Sequence, residues 1–353
     1  MTRTVSFVHI AVAVAVVLAG AAGLWWSVRT RHVVEPAPLT GFSYAVLGPT
    51  SVVEHPATPR TTDAYRGMGA WVDGFDYSPP YSASGVPPLV PAAVNEMAEA
   101  GVQTLYLQSG RLDDRSPDLL EDRWLLAEFL MRADQNNIDV VAWYLPKWGD
   151  DTADLDHLMA AHDFSFLGYR FDGLAVDIEW NQAGLKTEER NRRFLALSRT
   201  LRLQTDGDPL GAIVLPPVQT EVINPDLWPG FPWGEIANLY DVWLPMSYWS
   251  FRGDPYDDGY RYNEESVRRL RNNLANPDAL VHSIGGIGAQ LGAPPSGTEP
   301  YVANVDQLER FAMSLADSRA IGGSIYDWQT LDQAGRQEMA ALFSVGPAAG
   351  LGD

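Results

Sequence analysis

Cysteine is absent from the 353 residues, which removes disulfides, thiol nucleophiles and thiolate metal sites together. Positive charge is scarce: 25 Lys and Arg stand against 45 Asp and Glu, a formal net charge of -20. That balance repels phosphate backbones, so nucleic acid is not expected as a partner. The Arg clusters at 190–193 and 268–271 fall in helical patterns and are read as solvated faces. No repeat or low-complexity tract stands out, and no Gly-rich phosphate fingerprint follows an early apolar run. The histidines are scattered; His157 and His162 share a helical segment at a spacing that does not pair metal ligands. Neither a metal nor a cofactor is expected.

What is present begins with material for a core, 46% hydrophobic residues including 12 tryptophans. The first 34 residues are expected to be a signal-anchor or transmembrane segment. From Val5 to Val28 the run is uncharged apart from His9, and a helix rising about 1.5 Å per residue would cross a hydrocarbon layer of about 30 Å. Trp25 and Trp26, followed by Arg29 and Arg31, resemble an interfacial belt, while Ala19-Gly20-Ala21 offers a cleavage site. Uncleaved, the protein is a single-pass cell-membrane protein with its main domain extracytoplasmic; cleaved, it is secreted. Residues 35–65 read as a Pro/Thr/Ser-rich stalk ending in a loop or small hairpin, and residues 346–353 as a C-terminal tail.

Between these lie eight apolar runs, at 67–76, 102–110, 138–146, 171–180, 209–217, 241–249, 279–288 and 321–329. Helical periodicity separates them, as at 118–137, 186–205, 263–274 and 304–319. Strand and helix alternating in this way predict an α/β fold, a (β/α)8 TIM barrel over residues 66–345.

The fourth run, FDGLAVDIEW, ends in acids. Strand alternation puts Ala175, Asp177 and Glu179 on one face and the aliphatic Leu174, Val176 and Ile178 on the other. The aliphatic set suits the helix layer, so the acids point into the barrel mouth at the C-terminal strand ends, where sites of such barrels lie. Burial and mutual repulsion there raise a carboxyl pKa, which makes a general acid. Aromatics crowd the same end: Trp71, Tyr77, Tyr81, Tyr144, Trp148, Trp180, Tyr248, Trp249 and Trp328. Sugar rings stack on aromatic planes, so a polysaccharide or oligosaccharide is the expected ligand, with Asp73 and Asp76 as hydroxyl-binding groups. Gln108 and Gln219 are weaker candidates of that kind, and Lys147 is expected to face solvent.

These residues resemble glycoside hydrolase family 18, the chitinases and their relatives. Phe171, Asp172, Gly173, Leu174, Val176, Asp177 and Glu179 fit the family's strand-4 signature. The resemblance implies that Glu179 is the proton donor, and that Asp177 orients the substrate's N-acetyl group as its carbonyl attacks the anomeric carbon. Met246-Ser247-Tyr248 is similar to the family's Met-x-Tyr, which implies that Tyr248 hydrogen-bonds the acetamido group. Trp328 is similar to the tryptophan that floors the sugar subsite. Ala175 departs from the pattern, standing where the family has the first Asp of its triad; strand 3 lacks Ser-x-Gly-Gly, and Trp249 follows where Asp or Asn is common.

Retaining barrels with a protein nucleophile generally place a second carboxylate on strand 7, about 5 to 5.5 Å from the acid. The run ALVHSIGGIGAQLG has none. Substrate assistance is the simplest alternative, with Asp177, Asp73, Asp76 or Asp327 as other sources of a nucleophile. Two functions are therefore expected in order: an exported, membrane-tethered glycoside hydrolase of a β-linked polysaccharide, or an inactive carbohydrate-binding barrel.

Overall fold

A computed structural model describes residues 55–352, apart from 57, 117, 150, 181–183 and 288–304. The expected transmembrane segment and most of the stalk lie outside the described residues. Among the described residues, no helix is long and apolar enough to cross a membrane.

Eight parallel strands close into a barrel: β1 (Gly67–Val72), β2 (Thr104–Gln108), β3 (Asp139–Tyr144), β4 (Gly173–Ile178), β5 (Leu210–Val214), β6 (Val242–Ser247), β7 (Leu280–Ile287) and β8 (Gly322–Tyr326). Every strand pairs with its neighbours in sequence, and β1 closes on β8 through Gly67 opposite Gly322 and Ala70 opposite Ile325. All eight expected strands are present. Helices follow them: α1 (Ala93–Glu99), α2 (Arg123–Gln135), α3 (Asp151–His162), α4 (Thr187–Gln204), α5 (Trp233–Ile236), α6 (Gly259–Asn273), α7 (Val305–Asp317) and α8 (Gln333–Ser344). Their N-termini are defined locally, as where the Asp122 side chain accepts from the backbone of Trp124 and Leu125 at the start of α2.

The buried side chains divide into two cores. Leu174, Val176 and Ile178 belong to the layer between strands and helices, as parallel strands covered by helices require. Ala175 belongs to the barrel interior with Trp71, Tyr106, Val141, Trp143, Ile213, Leu244, Met246 and Ile284. The expected alternation of β4 is therefore the observed one.

The base of the barrel is closed from below by residues 55–65. The described residues of this stretch end in a 3-10 turn, Thr62–Tyr65. Tyr65 is fully buried, its hydroxyl donating to Leu174 O (2.9 Å) and accepting from Leu174 N (3.1 Å). Strands β4 and β5 admit the ring because they carry glycine there; a Cβ on Gly173 would lie 2.8 Å from the Tyr65 hydroxyl, and one on Gly211 2.9 Å from its ring. Above Tyr65, His282 Nδ1 donates to Tyr65 O (2.9 Å), so its Nε2 accepts from Ser324 Oγ (3.0 Å), which accepts from Trp71 Nε1 (2.8 Å). Burial holds His282 down at about 4, so it is neutral. Arg60 fastens the strap, donating to Phe171 O, His162 O and Asp208 at 2.9, 2.6 and 2.7 Å. The expected tail also packs: Ala348 is fully buried and its N–H donates to Leu342 O.

Candidate active site

Asp177 is the last inward side chain of β4, buried at 6% exposure, and Glu179 follows half-buried at the strand's end. Beneath Asp177 on the same face is Ala175, enclosed by apolar side chains. Asp177 thus has Glu179 as its acid neighbour on the strand and no acid below it. Asp177 is held well above the usual carboxylate range, first by burial and then by the charge of Glu179; burial pushes Glu179 up to about 7. With both raised, the pair retains at least one proton near neutrality, and its titration belongs to the pair. Asp177 Oδ1 is buried and accepts no hydrogen bond.

Tyr248 stands just beyond β6 and completes this corner. Its phenol is raised well above its ordinary value by burial, then by Glu179, Asp177 and Asp327, so it remains a hydrogen-bond donor. Its ring lies 6.1 Å from that of Tyr326, the last residue of β8. Tyr326 in turn donates to Asp73 Oδ2 (2.7 Å).

Asp73 belongs to a second acid group. It caps a one-turn helix, Gly74–Tyr77, by accepting from Phe75 N, while Asp76 accepts from Asp73 N in a capping box. Asp327 joins them and accepts from Thr330 N (2.9 Å). Carboxylate oxygens of Asp73, Asp76 and Asp327 lie within 4.8 Å of one another, the spacing of a potential cation cage. Burial, then the charges of Asp73 and Asp327, push Asp76 up to about 9; burial, then Asp73, push Asp327 up to about 6. With a carboxyl raised that far, Asp76 holds a proton near neutrality, which lessens the repulsion within the trio.

Of the expected substrate-binding residues, Asp73 and Asp76 sit at the mouth in this trio, and Trp180 is half-buried beside Glu179 with its Nε1 unpartnered. Five others are placed elsewhere. Trp71 and Met246 are interior core, Trp71 stacked on Tyr106 at 4.3 Å and tied to Ser324. Tyr144 faces outward, stacked on His157 and donating to Asp154 (2.8 Å). Trp249 lies in a 3-10 turn and packs outward, 5.2 Å from Phe311. Trp328 packs under Arg336 of α8, whose guanidinium is 4.2 Å from its ring. The aromatics that do face the mouth or its floor include Tyr326 and Trp143, the latter with a buried, unpartnered Nε1. Both follow from alternation along their strands, Tyr326 with Ser324 and Trp143 with Val141, once the inward face is known. Lys147, expected in solvent, is half-buried with its Nζ on Leu112 O and 5.7 Å from the Trp180 ring.

No family model matches the chain, and no curated protein matches it. Solved structures do. The group IV chitinase of Ostrinia furnacalis, solved with allosamidin, is 13% identical with a TM-score of 0.55, covering 80% of this chain and 99% of its own. The family 18 chitinase of Cycas revoluta, also with allosamidin, is 12% identical with a TM-score of 0.54, covering 78% and 98%. The endo-β-1,4-mannanase of Thermotoga petrophila is 10% identical with a TM-score of 0.54, covering 80% and 77%. The chain shares its (β/α)8 barrel fold with these glycoside hydrolases, the family 18 chitinases among them.

Proposed function

We propose that the protein is a distant family 18 glycoside hydrolase that cleaves a β-linked polysaccharide containing N-acetylhexosamine, with Glu179 as proton donor. The observation that carries this is the β4 pair: two raised carboxyls at the barrel mouth, one with a buried oxygen that accepts no hydrogen bond. A buried acceptor without a donor costs about 1–3 kcal/mol. A ligand N–H supplies that donor.

In the proposed reaction Glu179 gives its proton to the glycosidic oxygen while the substrate's acetamido oxygen attacks the anomeric carbon. Asp177 accepts from the acetamido N–H, and the Tyr248 hydroxyl donates to the acetamido carbonyl. The leaving sugar departs as an alcohol, and the cyclised intermediate is opened by water whose proton returns to Glu179. The anomeric carbon is attacked twice from opposite faces, so configuration is retained. The absence of a carboxylate on β7 supports this route over one with a protein nucleophile. A thiazoline mimic of the cyclised intermediate should bind far more tightly than the parent sugar. Equal affinity for the two would sink substrate assistance.

One observation favours a second function, a carbohydrate-binding barrel without turnover. Ala175 leaves no carboxylate beneath Asp177 to share its proton. Binding of N-acetylhexosamine oligomers with no release of reducing ends across a broad panel decides for it.

Export and tethering are part of the same proposal, on the strength of the uncharged run from Val5 to Val28. The full-length protein should sediment with membranes and be released by detergent but not by salt. Release by salt alone would refute an integral anchor.

A further inference from the structure

The rim of the mouth along β2, β3 and β4 carries two cations that form no close ion pair among the described residues. Arg111, three residues past β2, donates from Nη1 to Gln108 Oε1 (2.9 Å), an atom that also receives Gly74 N (2.8 Å). Its guanidinium lies 4.1 Å over the Phe75 ring, and its Nε is buried without a partner. Lys147, three residues past β3, is half-buried; its Nζ meets the Leu112 carbonyl and lies 5.7 Å from the Trp180 ring. Trp180 is the residue after Glu179. The rim therefore runs from Glu179 through Trp180 and Lys147 to Arg111 and Gln108.

Neither cation makes an ion pair among the described residues, although the chain has 45 acids to offer. The neighbouring acids are engaged elsewhere or raised: Glu121 accepts from Ser78 Oγ (2.6 Å), and burial raises its carboxyl although the charge of Arg111 lowers it. Asp113 is spent on Arg115, at 3.0 and 2.9 Å, and Asp154 accepts from Tyr144, Lys147 N and Trp148 N. Burial lowers the Lys147 pKa first, the charge of Arg111 lowers it further, and those of Asp113, Asp154 and Asp114 only partly offset them. Holding two half-buried cations side by side costs free energy unless an anion arrives. In a protein of net charge -20, no such anion would be gathered by the overall field, so the rim selects it locally.

We infer that the polymer bound beside Glu179 carries carboxylates, and that Arg111 and Lys147 receive one of them on the sugar lying along the β2–β4 rim. This rests on the hydrolase proposal and adds the charge of its substrate. A sugar carboxylate has two chemical sources, oxidation at C6 or an acidic ether on a ring hydroxyl. The guanidinium and ammonium serve either through charge-assisted hydrogen bonds, while Trp180 offers a plane for the ring.

Three β-1,4-linked probes test it on full-length protein in detergent: neutral chitin oligosaccharides, the same oligosaccharides oxidised to carboxylates at C6, and strands alternating N-acetylglucosamine with N-acetylmuramic acid. At least one acidic probe should bind about tenfold more tightly than the neutral one, the gain expected of a charge-assisted contact. Added salt should shrink that advantage, a result that needs no variant. Arg111→Gln with Lys147→Gln should bring the acidic-to-neutral ratio to within about twofold, and Arg111→Lys with Lys147→Arg should restore most of it. Whichever acidic probe gains identifies the source of the carboxylate.

Equal binding of neutral and acidic probes by the unaltered protein overturns the inference; if both are also cleaved, the hydrolase stands without it. A preference that survives loss of both charges overturns it too. Salt-sensitive preference without cleavage of any probe keeps the anion site and refutes turnover. Binding of no probe refutes both.

Discussion

Two groups of acids share one barrel mouth. At the end of β4, Asp177 and Glu179 stand two residues apart; across the barrel, Asp73, Asp76 and Asp327 converge from the ends of β1 and β8. Both are largely buried, and Asp177 and Glu179 in one, Asp76 and Asp327 in the other, are raised above ordinary carboxylates. They differ in where their oxygens go. Each acid of the trio accepts at least one hydrogen bond from the loops that bear it, Asp73 from Phe75 N and Tyr326 Oη, Asp76 from Asp73 N and Asp327 from Thr330 N. Asp177 keeps an oxygen unspent. Similar burial and charge thus come with different hydrogen bonding in the two places, and on the proposed function only the β4 pair meets the ligand.

The comparison breaks most visibly at Glu179. Glu179→Gln should lower kcat on N-acetylhexosamine oligomers by about 10²–10⁴-fold, while the dissociation constant stays within a small factor, measured by reducing-end release and calorimetry. A loss of that size on Asp327→Asn, with Glu179→Gln active, would reverse the two roles. Tyr248→Phe should cost about 10²-fold in kcat by removing one donor from the reacting acetamido group. A change confined to KM would leave it a mere wall of the cleft.

Acid dependence sharpens the contrast further. A proton donor at Glu179 is lost as pH rises through about 7, so kcat should fall on the alkaline side there. Asp76→Asn should leave that limb in place. Movement of the limb would join the two groups into one titrating unit.

The smallest effect is on stability, and its sign follows from Asp76. Its carboxyl rises from 3.8 to about 9 on folding, so between those values the native state binds more protons than the unfolded chain. Stability contributed by that proton is present at low pH and declines as pH climbs through the window. Melting temperature should therefore drop between about pH 5 and about pH 9, and Asp76→Asn, which still accepts from Asp73 N, should flatten the drop. An unaltered slope would trace the proton uptake to other groups.

Much of this was legible in the residues. The eight apolar runs are the eight strands, and the aliphatic Leu174, Val176 and Ile178 identify the helix-facing side of β4, leaving Asp177 inward. On β3 the same reasoning had no purchase, because Val140, Ala142 and Tyr144 are as apolar as Val141 and Trp143, and parallel strands bury both faces. No polar residue on β3 marks Trp143 rather than Tyr144 as the inward side chain. At β8 and β6 the difficulty was different. Trp328 and Trp249 lie beyond the strand ends, in turns where the period of two no longer holds, so one packs under Arg336 and the other against Phe311.

The sequence by itself determined what its periodicities encode: the number of strands, the closed barrel they suit, and the inward acids of β4, since side-chain direction within a strand is fixed by the pleat. Tertiary structure alone decided which aromatics reach the mouth, that Tyr65 stoppers the base, that Asp327 meets Asp73 from 254 residues away, and that Arg111 and Lys147 share one rim. Those are contacts between strand ends and loops far apart in the chain. Local pattern carries no information about them, because only closure of the ring brings them within reach.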